Sequence, residues 1–308
     1  MKLLYLSFLT ALLLSCNNST VKKIPEVSSG KLIRIENFQS KFVNPRNIDV
    51  WLPEGYDSAR KHAVIYMQDG QMLFDSTTTW NKQEWHVDEV ITKMIQEGKI
   101  KDCIVVAICN NNDSRNSEYF PAVALDGLLE PTRSSIVKNL LKDKPQSDNY
   151  LKFIVGELKP YIDKTYSTYG DPLNTIILGS DMGGLISVYA FCKYPGVFGG
   201  AACLSTHWPM IGVSLLYNRK IIDNTSRAFR EYLSSNLPSP PRGKIYFDYG
   251  SEKLDGVYKP YQQLVDNIMK NAGYTSVNWI TMEFINADHS ERSWSKRLHI
   301  PLEFLLGK

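Results

Sequence analysis

The sequence predicts an α/β architecture, a mainly parallel central sheet with helices on both faces, and three observations predict it. Short continuous apolar runs recur along the chain, helical stretches separate them, and a pair of alternating segments precedes them. Continuous apolar strands suit a sheet buried on both faces, whereas alternation marks strands with one wet face. The chain has 308 residues, 43% hydrophobic and 22% charged. That is enough for one large domain with a full core, with no need of disulfides or metals to fold. Its 35 Lys and Arg against 32 Asp and Glu leave a net charge of only +3. These charges are scattered rather than gathered into a patch, which argues against a nucleic-acid partner.

The first 30 residues lie outside that architecture. Met1 and Lys2 open a short positive region, and Leu3 to Leu14 is an apolar run of signal-peptide length. It is too short to span a bilayer as a helix, which takes roughly 20 residues. It ends in Leu13-Leu14-Ser15-Cys16, which resembles the lipobox of bacterial lipoproteins. The resemblance implies that residues 1–16 carry a lipoprotein signal, that Cys16 is acylated on sulfur, and that the mature chain is tethered in the cell envelope. The outer membrane or the periplasmic face would then hold it. The competing reading is an ordinary secretory signal with a chance cysteine. Residues 17–30 are polar and read as a flexible tether, and 31–308 as the folded domain.

Within that domain, Leu32 to Phe38 and Asn47 to Leu52 alternate apolar and polar residues and predict two antiparallel strands. After the Pro53-Glu54-Gly55 turn the predicted strands are Ala63 to Gln68, Cys103 to Cys109, Thr175 to Gly179, Gly200 to Leu204, Lys244 to Tyr249 and Val277 to Phe284. Helices are expected near Val87 to Glu97, Tyr150 to Tyr166, Met182 to Tyr194, Asn224 to Ser235, Tyr258 to Ala272 and Arg292 to Leu306. A strand hairpin followed by repeated β-α units is the order of an α/β-hydrolase sheet. Asn110 to Asp148 is long, polar and proline-containing, and is expected over the C-terminal edge of the sheet as an insertion on the substrate side. Cys103 and Cys109 bound one strand, so roughly 20 Å separates them and they cannot pair. With Cys192 and Cys203 they read as buried thiols, and no metal-type spacing such as C-x-x-C is present.

The strand ending at Leu178 runs into Gly179-Ser180-Asp181-Met182-Gly183-Gly184 and then an apolar helix. This is the position of a nucleophile elbow, G-x-S-x-G between strand and helix. Glycines are needed there because the turn is so tight that flanking side chains would clash. The central residue is held strained with its side chain exposed. The N-terminus of the following helix offers N–H groups to any anion formed at the bend.

The run from Gly179 through Tyr194-Pro195-Gly-Val-Phe198 to Leu204-Ser-Thr-His-Trp-Pro209 resembles the putative esterase family, as do Gln68-Asp-Gly-Gln-Met-Leu-Phe74, Arg115 with Glu118-Tyr-Phe-Pro121, and Ala287-Asp-His289. That family includes the enterochelin-esterase-like and the feruloyl- and acetyl-xylan-esterase-like α/β-hydrolases. The resemblance spans residues 40 to 306 and implies hydrolysis of carboxylic esters, with no cofactor. It also implies a serine at the centre of the elbow, where this chain has Asp181, with Ser180 one residue off. Asp181 therefore admits an altered or lost activity, including a protein that binds without cleaving. It also admits an aspartate nucleophile of the kind that haloalkane dehalogenases and epoxide hydrolases use on alkyl carbons.

In this fold the order is nucleophile, acid, histidine. His289, after the last strand, is the expected base. Asp255, in the loop after the preceding strand, is the expected acid, with Glu252 as the alternative and Asp248 read as structural. The acid fixes the imidazole tautomer. An oxyanion hole is expected from the N–H of Met182 and from Gly70 or Gln71. If Asp181 and Asp255 both approach His289, two carboxylates flank one imidazole and favour imidazolium, which cannot act as a general base. Trp85, Arg115, Tyr119, His207 and Trp208 are expected around the pocket, with Trp80, Phe120 and Trp294 near its edges. Such a set suits a sugar or an aromatic acyl face, and core packing is the alternative for the aromatics. Arg115 and Glu118 read either as a structural ion pair or as a substrate clamp. The expected partners are a small-molecule or carbohydrate ester and, through Cys16, a membrane.

Overall fold

The structure, a computed structural model, describes residues 23–142, 144–212 and 219–308. The lipobox-like segment with Cys16 lies outside the described residues. The strands are β1 (Lys31–Phe38), β2 (Arg46–Leu52), β3 (Ala63–Met67), β4 (Cys103–Ile108), β5 (Thr175–Ser180), β6 (Gly200–Leu204), β7 (Lys244–Gly250) and β8 (Trp279–Phe284). They form one sheet in the order β1-β2-β4-β3-β5-β6-β7-β8. Only the β1–β2 and β2–β4 pairings are antiparallel; the remaining pairs run parallel. This is the α/β-hydrolase architecture that the apolar runs predict.

The pleat explains why those runs are continuous. Along β3, Val64 and Tyr66 face one core while Ala63, Ile65 and Met67 face another, so every residue of the strand is buried. The first core packs under α7 (Met182–Lys193), α8 (Arg219–Asn236) and α9 (Lys259–Asn271); the second packs under α1 (Val87–Gln96) and the C-terminal helices. The chain passes from β3 to β4 on one side and returns to β5 on the other. That reversal opens a crevice at the C-terminal ends of β3 and β5, where ligands bind in open α/β sheets.

Three segments differ from expectation. The insertion, for which no helix is expected from the sequence, folds into α2 (Arg115–Tyr119), α3 (Val123–Asp126) and α4 (Thr132–Asn139). The helix expected from Tyr150 to Tyr166 is α5 (Ser147–Phe153) and α6 (Lys159–Thr165), joined by a π turn over Ile154–Leu158. Pro160 lacks the N–H that would bond the carbonyl four residues back, so the widened turn precedes it. The last expected helix is two, α10 (Glu291–Ser295) and α11 (His299–Leu306). Pro301 cannot bond the Arg297 carbonyl, so α11 starts afresh with proline in its first turn. Cys103, Cys109, Cys192 and Cys203 are all buried. Burial pushes the Cys103 thiol up to about 12, leaving it unreactive at neutral pH.

Candidate active site

The strand–turn–helix bend forms as its glycines require. A Cβ on Gly179 would lie 2.7 Å from the backbone of Gly183, so the chain can double back only with glycine there. Asp181 takes φ 58° and ψ −124°, a conformation that L residues avoid and that persists only where the surroundings enforce it. Here they do. The Asp181 N–H donates to the Leu204 carbonyl at 3.1 Å, and its own carbonyl accepts from Gly184, Leu185 and His207 at 3.1, 3.3 and 3.2 Å.

The acid arm is closed by hydrogen bonds. His289 Nδ1 lies 2.6 Å from Asp255 Oδ1. The other Asp255 oxygen accepts the Gly250 N–H at 2.7 Å and the Ser205 hydroxyl at 2.5 Å. Ser205 Oγ in turn accepts from Trp294 Nε1 at 2.8 Å and Arg297 at 2.9 Å. Gly250 permits the loop carrying His289 to close, since a Cβ there would lie 2.1 Å from the Ala287 carbonyl oxygen. Asp255 is fully buried while Glu252 is exposed, so of the two sequence candidates Asp255 is the one the fold brings to His289. Asp248 is instead held bidentate by Arg297, with both contacts at 3.0 Å.

The opposite ring nitrogen, His289 Nε2, lies 3.6 Å from Asp181 Oδ1. The other Asp181 oxygen sits 3.4 Å from each terminal nitrogen of Arg115. Arg115 also grips Asp69 through two contacts of 2.8 Å, and Asn110 donates to Asp69 at 2.6 Å. His207 lies below the bend, its Nδ1 3.6 Å from Asp181 Oδ1. Burial, outweighing the charge of Asp181, pushes its imidazole below 6.5. A neutral ring whose Nε2 faces the Ile211 carbonyl at 2.7 Å must carry its proton there, leaving Nδ1 to accept from the Tyr258 hydroxyl at 2.8 Å.

Electrostatics sets the resting protonation. Burial pulls His289 down, but the hydrogen bond to Asp255 and the charges of Asp181 and Asp255 outweigh it and hold the ring above 6.5. For Asp181 burial pushes the carboxyl up. The pull of His207, His289 and Arg115, with the Met182 N–H beside it, holds it below 3.8. Since His207 is neutral, His289 and Arg115 are the cations that matter. The site thus favours the charged form of an imidazole that lies between two carboxylates, one of which is also paired to a guanidinium.

This arrangement lines a cleft of about 530 Å³ with Gln71, Trp85, Arg115 and Trp294 on its walls and Trp80 at its rim. Other residues expected at the pocket lie elsewhere. Trp208 is in the core, its Nε1 bonded to Gln262 and its ring against Phe247, because the chain after His207 turns inward beneath α8. Tyr119 is fully buried; its hydroxyl meets the Asp69 N–H and its ring lies beneath Arg115. Phe120 is also in the core. Gly70 packs against the β4 backbone and is absent from the cleft wall. His207 supports the bend from below and is likewise absent from the wall. Arg115 and Glu118 do not pair with each other; Glu118 binds Arg46 at 2.6 Å in the interior. Asp69, Asn110 and Lys253 also border the cleft and went unsingled in the sequence. Only the Gln68-Asp-Gly-Gln motif gave a signal for Asp69, and that signal pointed to backbone donors.

Fold and cleft together define an esterase-like hydrolase of the α/β-hydrolase class. The chain belongs to the family described as "Putative esterase", whose model matches residues 40–302. It is 22% identical over 268 residues to the uncharacterized protein YbbA of Bacillus subtilis, covering 85% of this chain and 93% of that one. Among solved structures it resembles a ferulic acid esterase from the anaerobic fungus Anaeromyces mucronatus at 19% identity and a TM-score of 0.60, covering 94% of this chain and 95% of that one. It also resembles the enterobactin esterase of Shigella flexneri, solved in the presence of enterobactin, at 16% identity and a TM-score of 0.63. That match covers 92% of this chain and 60% of the other.

Proposed function

We propose that this protein holds a carboxylic ester, with an acylated carbohydrate as the favoured class, in the cleft over Asp181, and does not turn it over by the serine route. The single observation carrying this reading is the placement of the Asp181 carboxylate, 3.6 Å from His289 and 3.4 Å from Arg115, where family resemblance puts a hydroxyl nucleophile. A hydroxyl there would pass its proton to a neutral His289 as it attacked an acyl carbon. A carboxylate has no proton to give, and it keeps His289 charged, so the base is disabled along with the nucleophile. Attack by the carboxylate on an acyl group would yield a mixed anhydride, with a weakly basic nucleophile further weakened by two cations. Gln71 still lines the cleft where an ester carbonyl would lie, while the Met182 N–H is spent on the Asp181 carboxylate, so the reading keeps binding and gives up turnover. Asp255 serves in this reading to orient His289.

The test compares the native protein with Asp181→Ser on 4-nitrophenyl acetate. The native rate should match the buffer blank, and the serine variant should gain about 10²- to 10⁴-fold. Equal rates in both proteins would sink the reading.

A second reading is favoured by the same bend, because His289 and Asp255 stand behind Asp181 as a water-activating pair. In it Asp181 attacks an alkyl carbon, the leaving group departs, and water then cleaves the resulting enzyme ester at its carbonyl. An alkyl mass adduct on Asp181, trapped in His289→Ala with a haloalkane, would establish it.

The envelope tether belongs to the same proposal. Metabolic labelling with an alkynyl fatty acid should mark the full chain and fail on Cys16→Ala.

A further inference from the structure

We infer that the segment ending at Ser29 is a proton-controlled strap: one proton shared by Asp88 and Glu89 keeps it docked on α1, and loss of that proton frees it. The strap rests on its own contacts; what its release does rests on the envelope-tether reading above. Part of the segment whose composition reads as a tether is seated on the fold. The Ser28 and Ser29 N–H groups donate to one Asp88 oxygen at 2.6 and 3.3 Å, and the Ser28 hydroxyl donates to Glu89 at 2.7 Å. Thr92, one turn further along α1, donates to the Ser29 hydroxyl at 2.9 Å, and Trp51 Nε1 donates to the Ser29 carbonyl at 2.8 Å. Nearer its start, the segment is held by the Glu26 N–H on Asp75 at 3.1 Å and by the Lys23 carbonyl, which accepts from Arg34 at 3.2 Å.

The two carboxyls at the centre of this contact need a proton. Asp88 is fully buried, and Glu89 follows it in the first turn of α1. The pair shares a hydrogen bond, yet two carboxylates have no donor between them. Asp88 Oδ1 and Glu89 Oε2 are buried and have no other partner among the described residues. One proton satisfies both oxygens at once, whereas two neighbouring buried carboxylates repel. Burial, and after it the hydrogen bond and charge of Glu89, push the Asp88 carboxyl up to about 7. Burial pushes Glu89 up as well, but the Ser28 hydroxyl and the Asp88 carboxyl outweigh it and hold Glu89 below 4.5. The proton therefore belongs to Asp88.

The other ionisable groups facing the pair are His86, whose Nδ1 lies 3.5 Å from Glu89, and Glu84, 3.7 Å from the same nitrogen. The strap brings no charge to them, since Ser28 and Ser29 are neutral and Glu26 is turned to Lys23 at 2.8 Å. Because the docked Asp88 stands above its ordinary 3.8, its contribution to docking is whole below 3.8 and is lost as pH rises through about 7. Release changes reach. With Lys23 pinned, residues 17–22 alone separate the domain from Cys16, a span of about 20 Å; freed as far as Ser29, residues 17–28 span about 40 Å. Deprotonation thus doubles the distance the domain can stand from its anchor.

The experiment follows the backbone order of Ser28 and Ser29 in the full chain by NMR relaxation, with the Asp88 carboxyl carbon titrated alongside. In the native protein the order parameters should fall from about 0.85 at about pH 5 to below about 0.6 at about pH 9, with the midpoint of Asp88 near 7. Asp88→Asn, whose amide can donate to Glu89 and still accept from the strap, should stay ordered at both ends of the range. His86→Gln should keep the transition. A native strap equally ordered throughout, a native Asp88 midpoint below about 5, or a transition that survives Asp88→Asn would overturn the switch. A transition lost in His86→Gln would assign it to the imidazole and overturn the shared proton. If fatty-acid labelling fails on the native chain while Ser28 and Ser29 still loosen, the strap stands and the tether reading falls.

Discussion

One short helix, α2, contributes to two ion pairs that differ in what they do. Glu118 faces inward to Arg46, whose guanidinium lies over the rings of Tyr150 and Phe153 at 5.2 and 5.3 Å; both charged side chains are 2% exposed. Arg115, three residues earlier, faces the cleft with its side chain 24% exposed and is divided between Asp69 and Asp181. The first pair is closed: each carboxylate oxygen meets a guanidinium nitrogen, and aromatic rings exclude water. The second is open: Arg115 holds one carboxylate squarely and another loosely, at 3.4 Å. Identical chemistry thus serves the scaffold where it is sealed and the site where it is left accessible. The difference teaches that one ion-pair chemistry is sealed where both partners are buried and stays open to the cleft where they are not.

The largest effect should come from breaking the sealed pair. Glu118→Ala strands the Arg46 charge in the core and should cost about 3–5 kcal/mol in urea denaturation. A loss under about 1 kcal/mol would erase the contrast. Arg115→Ala should cost about 1 kcal/mol or less, because its partners keep water or Asn110. It should nevertheless raise the Asp181 pKa, read by carboxyl NMR; an unmoved Asp181 would show that Arg115 does not control it.

A smaller effect should appear in the pH dependence. His289 is held above 6.5, so its contribution is whole below 6.5 and fades as pH rises through the elevated value. Asp181 is held below 3.8, so its contribution is whole above 3.8 and is lost as pH falls through the depressed value. The network is therefore most cohesive in mildly acidic solution. Asp181→Asn should destabilise by about 1 kcal/mol at about pH 5.5 and by less at about pH 9. A gap that widens toward alkaline pH would contradict this sign. Smallest of all, Glu252→Gln should leave the His289 titration unmoved, since that carboxylate is exposed away from the ring.

The features legible in the sequence were those written in local pattern. Continuous apolar runs gave the parallel strands, and the Gly179 to Gly184 spacing gave the bend. The place of His289 after the last strand gave its approach to that bend. The family resemblance favours Asp255 over Glu252, and burial of Asp255 in the folded loop, with Glu252 exposed, agrees with that choice. Contacts between distant segments were not legible. Nothing near Arg115 signals Asp69, and nothing near Glu118 signals Arg46, 72 positions away. Trp208 misled because a tryptophan following a strand can turn to the cleft or to the core with the same local sequence. The breaks at Pro160 and Pro301 were readable from proline's missing N–H, but the apolar periodicity across both hid them.

The account stands on the charge state of one ring. A direct NMR titration of His289, with its ring nitrogens labelled, should give a midpoint above 6.5 in the native protein and a lower one in Asp181→Asn. A native midpoint below 6.5, or one indifferent to the residue at 181, would contradict it.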